Sequence, residues 1–454
     1  MTAREAAFTA LEGFRKGKHA EQAIDKAQAK VGMTDRDAAL AVRLFKGVLQ
    51  NTALLDHYAS FFSSVDIKRI EPRALSILRL SIYQLLFLTK IPASAAVNEG
   101  VGLAKHLTGP RTAGFINAVL RKAAIAAENR NFPDISGGYV KRLSIKYSHP
   151  EWLVRELESS LGREGLEALL IANNEPEAPI TAQINTLLAD TKTVLAMLAE
   201  DGVEAAAHEW LDGCVQFKGT GFFDRTEAYK KGFLYIQDAA ARLSVMAAAP
   251  EPGGYVIDGC AAPGGKSFTA AAMMKNEGRI SAFDINASRL RLVEDGAKRL
   301  NIGIITTKQK DVTDGKAEKG IMRASPAAAT GGNADIVFAD APCSGFGVIR
   351  RKPDVRYKTK REIAGLPELQ GKILDGLSAH VKPGGVLLYS TCTVLKQENE
   401  NVVDGFLHRN NGFRPEGFTL PGVGNARGGI VTLWPHIHGT DGFFICKLRS
   451  VNCK

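Results

Sequence analysis

The carboxyl-terminal half of the chain alternates short apolar runs with segments of helical periodicity, and this alternation most constrains the fold. The apolar runs are nearly continuous, as in GYVIDGC, ISAFDI, ADIVFADAPC and GVLLYSTC, and helical segments such as ASRLRLVEDGAKRL separate them. Strands that are apolar on both faces and joined by helical crossovers are typical of a largely parallel sheet covered by helices. The sequence therefore predicts a Rossmann-like α/β domain over residues 236–454, whose ligands bind beyond the carboxyl ends of the strands.

The rest of the chain has a different pattern. Apolar side chains such as Leu75, Leu78 and Ile82 recur at spacings of three and four, the signature of a helix with one buried face. This pattern predicts an all-α bundle over residues 1–135. Residues 136–235 combine helical segments with two alternating runs, PITAQINTL and GFLYIQD, and so predict a small α+β connector. With 454 residues the chain is long enough for these three domains.

The positive charge is concentrated near the amino terminus. The first 150 residues hold 22 Lys and Arg against 12 Asp and Glu, which accounts for the whole net charge of +10. A basic surface attracts polyanions, so RNA is a plausible partner, with solvated basic helix faces as an equal alternative. No apolar segment reaches the roughly 20 residues of a membrane span, and an apolar signal-peptide core is absent. We therefore expect a cytoplasmic protein that acts as a monomer, without membrane contact.

The six cysteines form no Cys-x-x-Cys pair, so we expect neither disulfides nor a metal site. The first strand of the α/β domain ends in DGCAAPGGKS, which lacks the glycine spacing of a phosphate loop because Cys260 stands where glycine is needed. A turn of small residues still lets a nucleoside cofactor approach the backbone. Asp284, about 20 residues further on, can accept the ribose hydroxyls, and Asp311 can meet the adenine amine. Without a Gly-x-Gly-x-x-Gly motif, S-adenosylmethionine fits better than a dinucleotide.

Two cysteines, Cys343 in DAPC and Cys392 in STC, stand at the ends of predicted neighbouring strands. C5 of a pyrimidine is a poor nucleophile, but addition of a thiolate at C6 makes C5 able to accept a methyl group. The adduct must then lose its C5 proton and expel the sulfur, a step that a second thiol or a bound water can assist. A buried thiol often only packs, yet two at strand ends favour catalysis.

Three motifs together, CAAPGGK, DAPCSG with RRKPD, and YSTCT followed by ENE, resemble the RsmB/Sun (Fmu) family of RNA cytosine-C5 methyltransferases. Upstream, LRLSIYQLLFL, IPASAAVNEGVGLAK and GFINAVLRK are similar to the NusB-type helical RNA-binding domain that the bacterial ribosomal member carries. The resemblance covers nearly the whole chain. It implies methylation of C5 of a cytosine in small-subunit (16S) ribosomal RNA, with S-adenosylmethionine as the methyl donor.

The resemblance also implies the roles of individual residues. Cys392 would be the nucleophile, Cys343 would assist product release, Asp340 would hydrogen-bond the cytosine, and Lys266 would orient it. Cys260 would pack within its loop. The implied cofactor-binding residues are Cys260, Ala261, Ala262, Pro263, Gly264, Gly265, Lys266, Asp284, Asp311 and Asp340.

Other readings remain open from the sequence. The same chemistry on tRNA is the nearest alternative, and a non-catalytic RNA-binding or assembly factor is another, while the failed phosphate-loop spacing disfavours a nucleotide hydrolase. Phe346 and Tyr357 depart from the family pattern, and an insertion, GKAEKGIMRASPAAATGGN, precedes Asp340. A basic loop after Cys343 is expected to hold RNA phosphates while Tyr357 stacks on a base; its cations are Arg350, Arg351, Lys352, Arg356, Lys358, Lys360 and Arg361.

Overall fold

The computed structural model describes residues 2–29, 33–175, 178–217, 223–314 and 333–451. Almost all of the predicted insertion before Asp340 lies outside these described residues. The chain divides into two compact units. One unit contains Met1–Pro176 and Lys352–Tyr357, and the other contains Glu177–Arg351 and Lys358–Lys454. This division passes through the predicted connector, so the three domain boundaries stay a prediction.

The first unit is built from helices, as the apolar spacing predicts. The buried face of the fourth helix carries Ile77, Leu78 and Ile82, and these side chains join a core that includes Phe45 and Leu120. The helices are α1 (Ala3–Arg15), α2 (Ala20–Gln28), α3 (Asp35–Phe62), α4 (Pro72–Phe87), α5 (Ala93–Leu107), α6 (Pro110–Glu128), α7 (Tyr139–Lys146) and α8 (Glu151–Asn173).

Helices α3 and α4 pack closely because Gly47 leaves room for an aromatic ring. A Cβ atom at Gly47 would lie 2.1 Å from the Tyr83 ring, well inside van der Waals contact. Among the described residues, no helix is both long enough and apolar enough to cross a lipid bilayer.

The second unit begins with an antiparallel sheet in the strand order β2-β3-β1-β4. Both alternating runs of the predicted connector are strands of this sheet, because their alternate side chains face a common core. The elements are β1 (Ile180–Ile184), α9 (Thr191–Glu200), β2 (Ala205–Ala207), β3 (Cys214–Phe217), α10 (Glu227–Lys230) and β4 (Leu234–Ile236).

An eight-stranded sheet follows. The elements of this part of the chain, up to β9, are α11 (Ala239–Ala248), β5 (Tyr255–Asp258), α12 (Gly265–Met273), β6 (Arg279–Asp284), α13 (Ala287–Arg299), β7 (Ile305–Gln309), β8 (Ala334–Asp340), α14 (Lys360–Ile363), α15 (Leu366–Ser378) and β9 (Val381–Thr391). The remaining elements are α16 (Glu400–Arg409), β10 (Phe413–Pro415), β11 (Phe418–Leu420), β12 (Gly424–Ala426), β13 (Ile430–Leu433), α17 (Pro435–His438) and β14 (Phe443–Ser450). Strands β11 and β12 form a separate two-stranded sheet.

The strand order is β10-β14-β9-β8-β5-β6-β7, with β13 also paired to β14. Strands β5 to β9 are parallel to one another, while β10, β13 and β14 add an antiparallel edge that pairs with β9 through β14. The strands are buried on both faces, since Val337 and Leu387 pack in one layer and Phe338 and Leu388 in the other. The Rossmann-like prediction is thus confirmed, and the carboxyl ends of β5, β6, β8 and β9 meet at one edge.

Candidate active site

Two cysteine thiols lie side by side at this edge. Asp340 at the end of β8 pairs in register with Ser390 near the end of β9, so the residues that follow both strands are neighbours. The Sγ atoms of Cys343 and Cys392 are 3.3 Å apart. The hydrogen bond from Cys343 lowers the pKa of Cys392, and the same bond together with burial raises the pKa of Cys343 well above its ordinary value. The arrangement favours a thiolate at Cys392 and a thiol at Cys343.

Hydrogen bonds between the two loops hold the thiols in place. The Ser344 hydroxyl lies 2.8 Å from the Thr393 hydroxyl, and the Gly347 amide donates to the carbonyl of Cys392 over 2.9 Å. Only glycine fits at position 347, because a Cβ atom there would lie 1.8 Å from the carbonyl oxygen of Gly442. The backbone around Cys392 is therefore set by close packing of loops rather than by strand pairing alone.

A partly buried ion pair lies at the same edge. The Nζ atom of Lys266 is 2.6 Å from Oδ2 of Asp340, and the other carboxylate oxygen accepts a hydrogen bond from the Ser390 hydroxyl over 2.8 Å. The Lys266 side chain is only 9% exposed and its ammonium group lies 5.0 Å from the centre of the Phe443 ring. Among the charges around Cys392, Asp340 raises the pKa of its thiol and Lys266 lowers it.

The CAAPGGK segment forms a tight turn into α12. Gly264 has a φ angle of +112°, and a Cβ atom there would lie 2.4 Å from the Phe268 ring, so the position requires glycine. The Ala262 amide donates to Oδ2 of Asp284 over 3.3 Å, which brings this predicted ribose ligand to the turn. Asp311 is exposed and accepts hydrogen bonds from the backbone and side chain of Thr313.

Asp258 is a further candidate that the sequence reasoning did not single out. Its side chain is buried, one oxygen accepts a hydrogen bond from the Ser267 hydroxyl over 2.7 Å, and the other has no partner among the described residues. Burial raises its pKa to about 6. The signal was available, because Asp258 ends β5 as Asp284 ends β6. A buried carboxylate oxygen without a partner suits a cationic group, such as the ammonium of an amino-acid moiety.

A cavity of about 500 Å³ adjoins the turn and the ion pair. Its lining includes Lys266, Asp340 and Asp258 together with Tyr235 and Gln237, which come from β4 and the residue after it. Asp284 and Asp311 do not line this cavity. Cys343 and Cys392 are not among its lining residues either, so the cavity adjoins the thiol end of the site through Lys266 and Asp340.

The remaining described cysteines have inert surroundings. Burial raises the pKa of Cys260 and Cys446 far above the ordinary thiol value and that of Cys214 to about 12. The burial of Cys260 agrees with packing in its turn rather than with a nucleophilic role. Among the described residues, no group of three or more His, Cys, Asp or Glu side chains is arranged to hold a metal ion.

The prediction that the basic loop after Cys343 holds RNA phosphates is wrong for three of its arginines. Arg350 and Arg351 are engaged with Asp441, at 2.9 and 2.8 Å, in a largely buried network. Arg356 is fully buried in the first unit and donates to the carbonyl of Gln50 over 2.6 Å. Charge counting could not distinguish these cations from exposed ones, because their acceptors are distant in the sequence.

The expected stacking residue of this loop is also engaged. The Tyr357 hydroxyl donates to the carbonyl of Leu49, and its ring packs edge-on against Phe14 at a centroid distance of 6.1 Å. These contacts anchor the ring in the helical unit, but Tyr357 is still 37% exposed, so its stacking on a base stays a prediction.

Three family models match successive parts of the chain. A family model described as 16S rRNA methyltransferase RsmB/F matches residues 245–449, and models of the NusB family and of an RsmF/B-like ferredoxin-like domain match residues 1–124 and 149–221. In solved structures, PH0851 has a TM-score of 0.80 and 28% identity with 98% of both chains covered. NSun6 from Pyrococcus horikoshii has a TM-score of 0.58 at 21% identity, covering 67% of this chain and 98% of that one.

Curated relatives match over most of the chain. The probable ribosomal RNA small subunit methyltransferase B of Bacillus subtilis (strain 168) is 36% identical over 427 residues, which cover 92% of each protein. The ribosomal RNA small subunit methyltransferase B of Erwinia tasmaniensis (strain DSM 17950) is 32% identical and covers 98% of this chain and 97% of that one. Since both identities exceed 30% over nearly the full length, the chain belongs to the RsmB/Sun family of 16S rRNA methyltransferases and is an RNA methyltransferase.

Proposed function

We propose that this methyltransferase uses S-adenosylmethionine to methylate C5 of a cytosine in 16S ribosomal RNA, through a covalent adduct between Cys392 and C6. The observation that carries the proposal is the pair of thiols 3.3 Å apart beside the ion pair of Lys266 and Asp340. The relatives named as small-subunit RNA methyltransferases supply the RNA class, and they favour action in the cytoplasm.

Cys392 is the attacking group in this mechanism. Its thiol has a lowered pKa because Cys343 donates a hydrogen bond to it, so a larger fraction is thiolate at neutral pH. The Cys392 sulfur forms a bond to C6 of the cytosine, and the electron pair of the C5–C6 double bond moves to C5. Lys266 and Asp340 lie beside the sulfur, where a carboxylate can accept from the cytosine amino group and an ammonium can orient the ring.

Cys343 has its role after methylation. Once Cys392 is bonded to C6, its negative charge is gone, and with it the hydrogen bond that chiefly raises the pKa of Cys343. Cys343 can then release its own proton to solvent and accept the C5 proton as a thiolate. The C5–H electron pair restores the C5–C6 double bond, and Cys392 leaves as a thiolate. The two thiols therefore act in sequence.

The residues of the turn fit the proposed cofactor. When bound, S-adenosylmethionine supplies an electrophilic methyl group on a sulfonium. The unpartnered carboxylate oxygen of Asp258 suits its ammonium, and Asp284 at the turn suits its ribose. Gly264 and Gly265 keep side chains away from the backbone that the nucleoside approaches. The assignment of Asp311 to the adenine stays a prediction. The related NSun6 structure was solved with SFG, an analogue of this cofactor.

The proposal is tested by trapping the adduct. Because Cys343 acts only in release, the Cys343→Ala variant should accumulate a protein–RNA adduct when incubated with S-adenosylmethionine and 16S rRNA, visible as a shifted band in a denaturing gel. Cys392→Ala should form none. Cys446→Ala is the matched control, since this thiol is buried in β14 away from the site, and it should release its product as the unchanged enzyme does.

Two results would contradict the proposal. An adduct in Cys392→Ala would move the nucleophile to another residue, and no adduct in Cys343→Ala despite bound RNA would support a binding or assembly role. Running the same assay with tRNA tests the alternative substrate. Bisulfite mapping of 16S rRNA from cells that lack the gene would identify the cytosine.

A further inference from the structure

Glu398, in the ENE motif after Cys392, is a charged side chain that the proposed mechanism does not use. It is fully buried, with an exposed fraction of 0%. One carboxylate oxygen accepts from the Ser344 amide over 2.8 Å and from the Gln370 side chain over 3.0 Å. The other oxygen is buried and has no hydrogen-bond partner among the described residues.

The contacts of Glu398 hold the backbone on both sides of Cys343. The Gln370 amide group that donates to Glu398 also donates to the Pro342 carbonyl over 3.0 Å. Ser344, on the other side of Cys343, donates its backbone amide to the same carboxylate oxygen. Glu398 and Gln370 therefore form a clamp around the peptide that carries the Cys343 thiol. Tyr389 anchors the clamp by donating to the Glu398 carbonyl over 2.5 Å.

A neutral glutamine could make the same clamp, so the charge needs its own explanation. Burying a carboxylate that is only half satisfied is costly. The charges near the two thiols differ. Glu398 and Asp340 both raise the pKa of Cys343. At Cys392, Lys266 lowers the pKa, while Asp340 and Asp441 raise it. The cation among these neighbours is Lys266, which acts on Cys392, while the Lys358 ammonium lies on the Cys343 loop and donates to the Ser344 carbonyl over 2.7 Å. The extra negative charge beside Cys343 disfavours a thiolate there.

We propose that Glu398 is a positioning residue that selects which thiol attacks: its clamp fixes Cys343, and its negative charge keeps the shared proton on Cys343 and the thiolate on Cys392. This inference rests on the proposed function, in which the ionised thiol attacks C6 of the cytosine. Which of the two thiols is ionised is a property of the free protein, so it can be measured without RNA.

The test is site-resolved alkylation of the full-length protein with iodoacetamide near neutral pH, without RNA or cofactor, followed by mass spectrometry of each cysteine peptide. In the unchanged protein, Cys392 should react faster than Cys343. In Glu398→Gln, which keeps the hydrogen-bond acceptor but removes the charge, the ratio of the two rates should fall about tenfold, as expected for about one pKa unit. Glu400→Gln, which removes a neighbouring charge on α16, should leave the ratio unchanged.

A second pair of variants separates charge from structure. Gln370→Ala breaks the clamp and keeps the charge, so its ratio should stay within about threefold of the original. If Glu398→Gln unfolds, the buried Cys446 becomes reactive, and the apolar Glu398→Met then takes its place. A ratio unchanged in the folded charge-removing variant, or lowered equally by Gln370→Ala, would overturn the inference. Failure of adduct trapping in Cys343→Ala would overturn the proposed function without changing these alkylation ratios.

Discussion

Replacing Asp258 with asparagine should stabilise the free enzyme while weakening cofactor binding. Asparagine keeps an oxygen that accepts from the Ser267 hydroxyl, so the existing hydrogen bond of 2.7 Å is preserved. It removes the charge of the buried oxygen that has no partner among the described residues. The same unpartnered oxygen is the group that suits the ammonium of the cofactor, so stability and binding should change in opposite directions.

The size of the stabilisation follows from the raised pKa. Burial raises the pKa of Asp258 from 3.8 to about 6, and each pKa unit corresponds to about 1.4 kcal/mol. Ionised Asp258 therefore costs up to about 3 kcal/mol at neutral pH. Because the folded-state pKa is the higher one, this cost is absent below about pH 4, grows as the pH rises, and is complete above about pH 6. The uncharged asparagine carries no such pH-dependent cost.

The sign of this pH dependence is tested by calorimetric melting of the unchanged protein and of Asp258→Asn over this pH range. The advantage of the variant should be about 1.4 kcal/mol larger at about pH 7.5 than at about pH 5, and each kcal/mol corresponds to about 2–4 °C in Tm for a unit of this size. Asp212→Asn serves as the control, because this carboxylate is exposed and does not line the cavity. A variant advantage that is equal at both pH values would refute the reasoning. Added S-adenosylmethionine should raise the Tm of the variant less than that of the unchanged protein.

Three further variants test other parts of the structure. Arg356→Ala should destabilise the helical unit by about 3–5 kcal/mol, because it leaves several buried carbonyls unpaired, and an unchanged melting temperature would contradict this. Gly347→Ala should reduce methylation of RNA at least about tenfold by displacing the loop of Cys392, whereas Gly428→Ala, which meets no atom within 4 Å, should retain activity. Lys266→Met should raise the pKa of Cys392 by removing a nearby cation, so the pH profile of adduct formation should move to higher pH.

The position of the site followed from the sequence because parallel strands end at one edge. Strand patterns alone predicted that the residues after β8 and β9 would be neighbours, and Cys343 and Cys392 are in contact. The CAAPGGK turn and Asp284 were placed by the same rule and are joined by a hydrogen bond. The roles assigned to these residues stay predictions until the adduct is trapped.

Other features depend on contacts between distant parts of the sequence. Arg356 donates to the carbonyl of Gln50, 306 positions away, and so a cation expected at the surface is buried. The clamp joins Ser344 to Glu398 across 54 positions, which no local pattern indicates. A basic residue has the same sequence signature whether its partner is a phosphate or a distant carbonyl. Which polar side chains are buried therefore could not be predicted from the sequence.

The neighbours of the two thiols explain why this site has two cysteines rather than one. Identical side chains 3.3 Å apart can share a proton, so a small difference in local charge decides which one is the thiolate. Lys266 favours the thiolate at Cys392, and Glu398 disfavours it at Cys343. When the attacking sulfur becomes a neutral thioether, the charge and hydrogen bond of Cys392 no longer raise the pKa of Cys343, so the second thiol ionises more readily although Glu398 remains. The fixed charges thus give two equivalent groups their order of action.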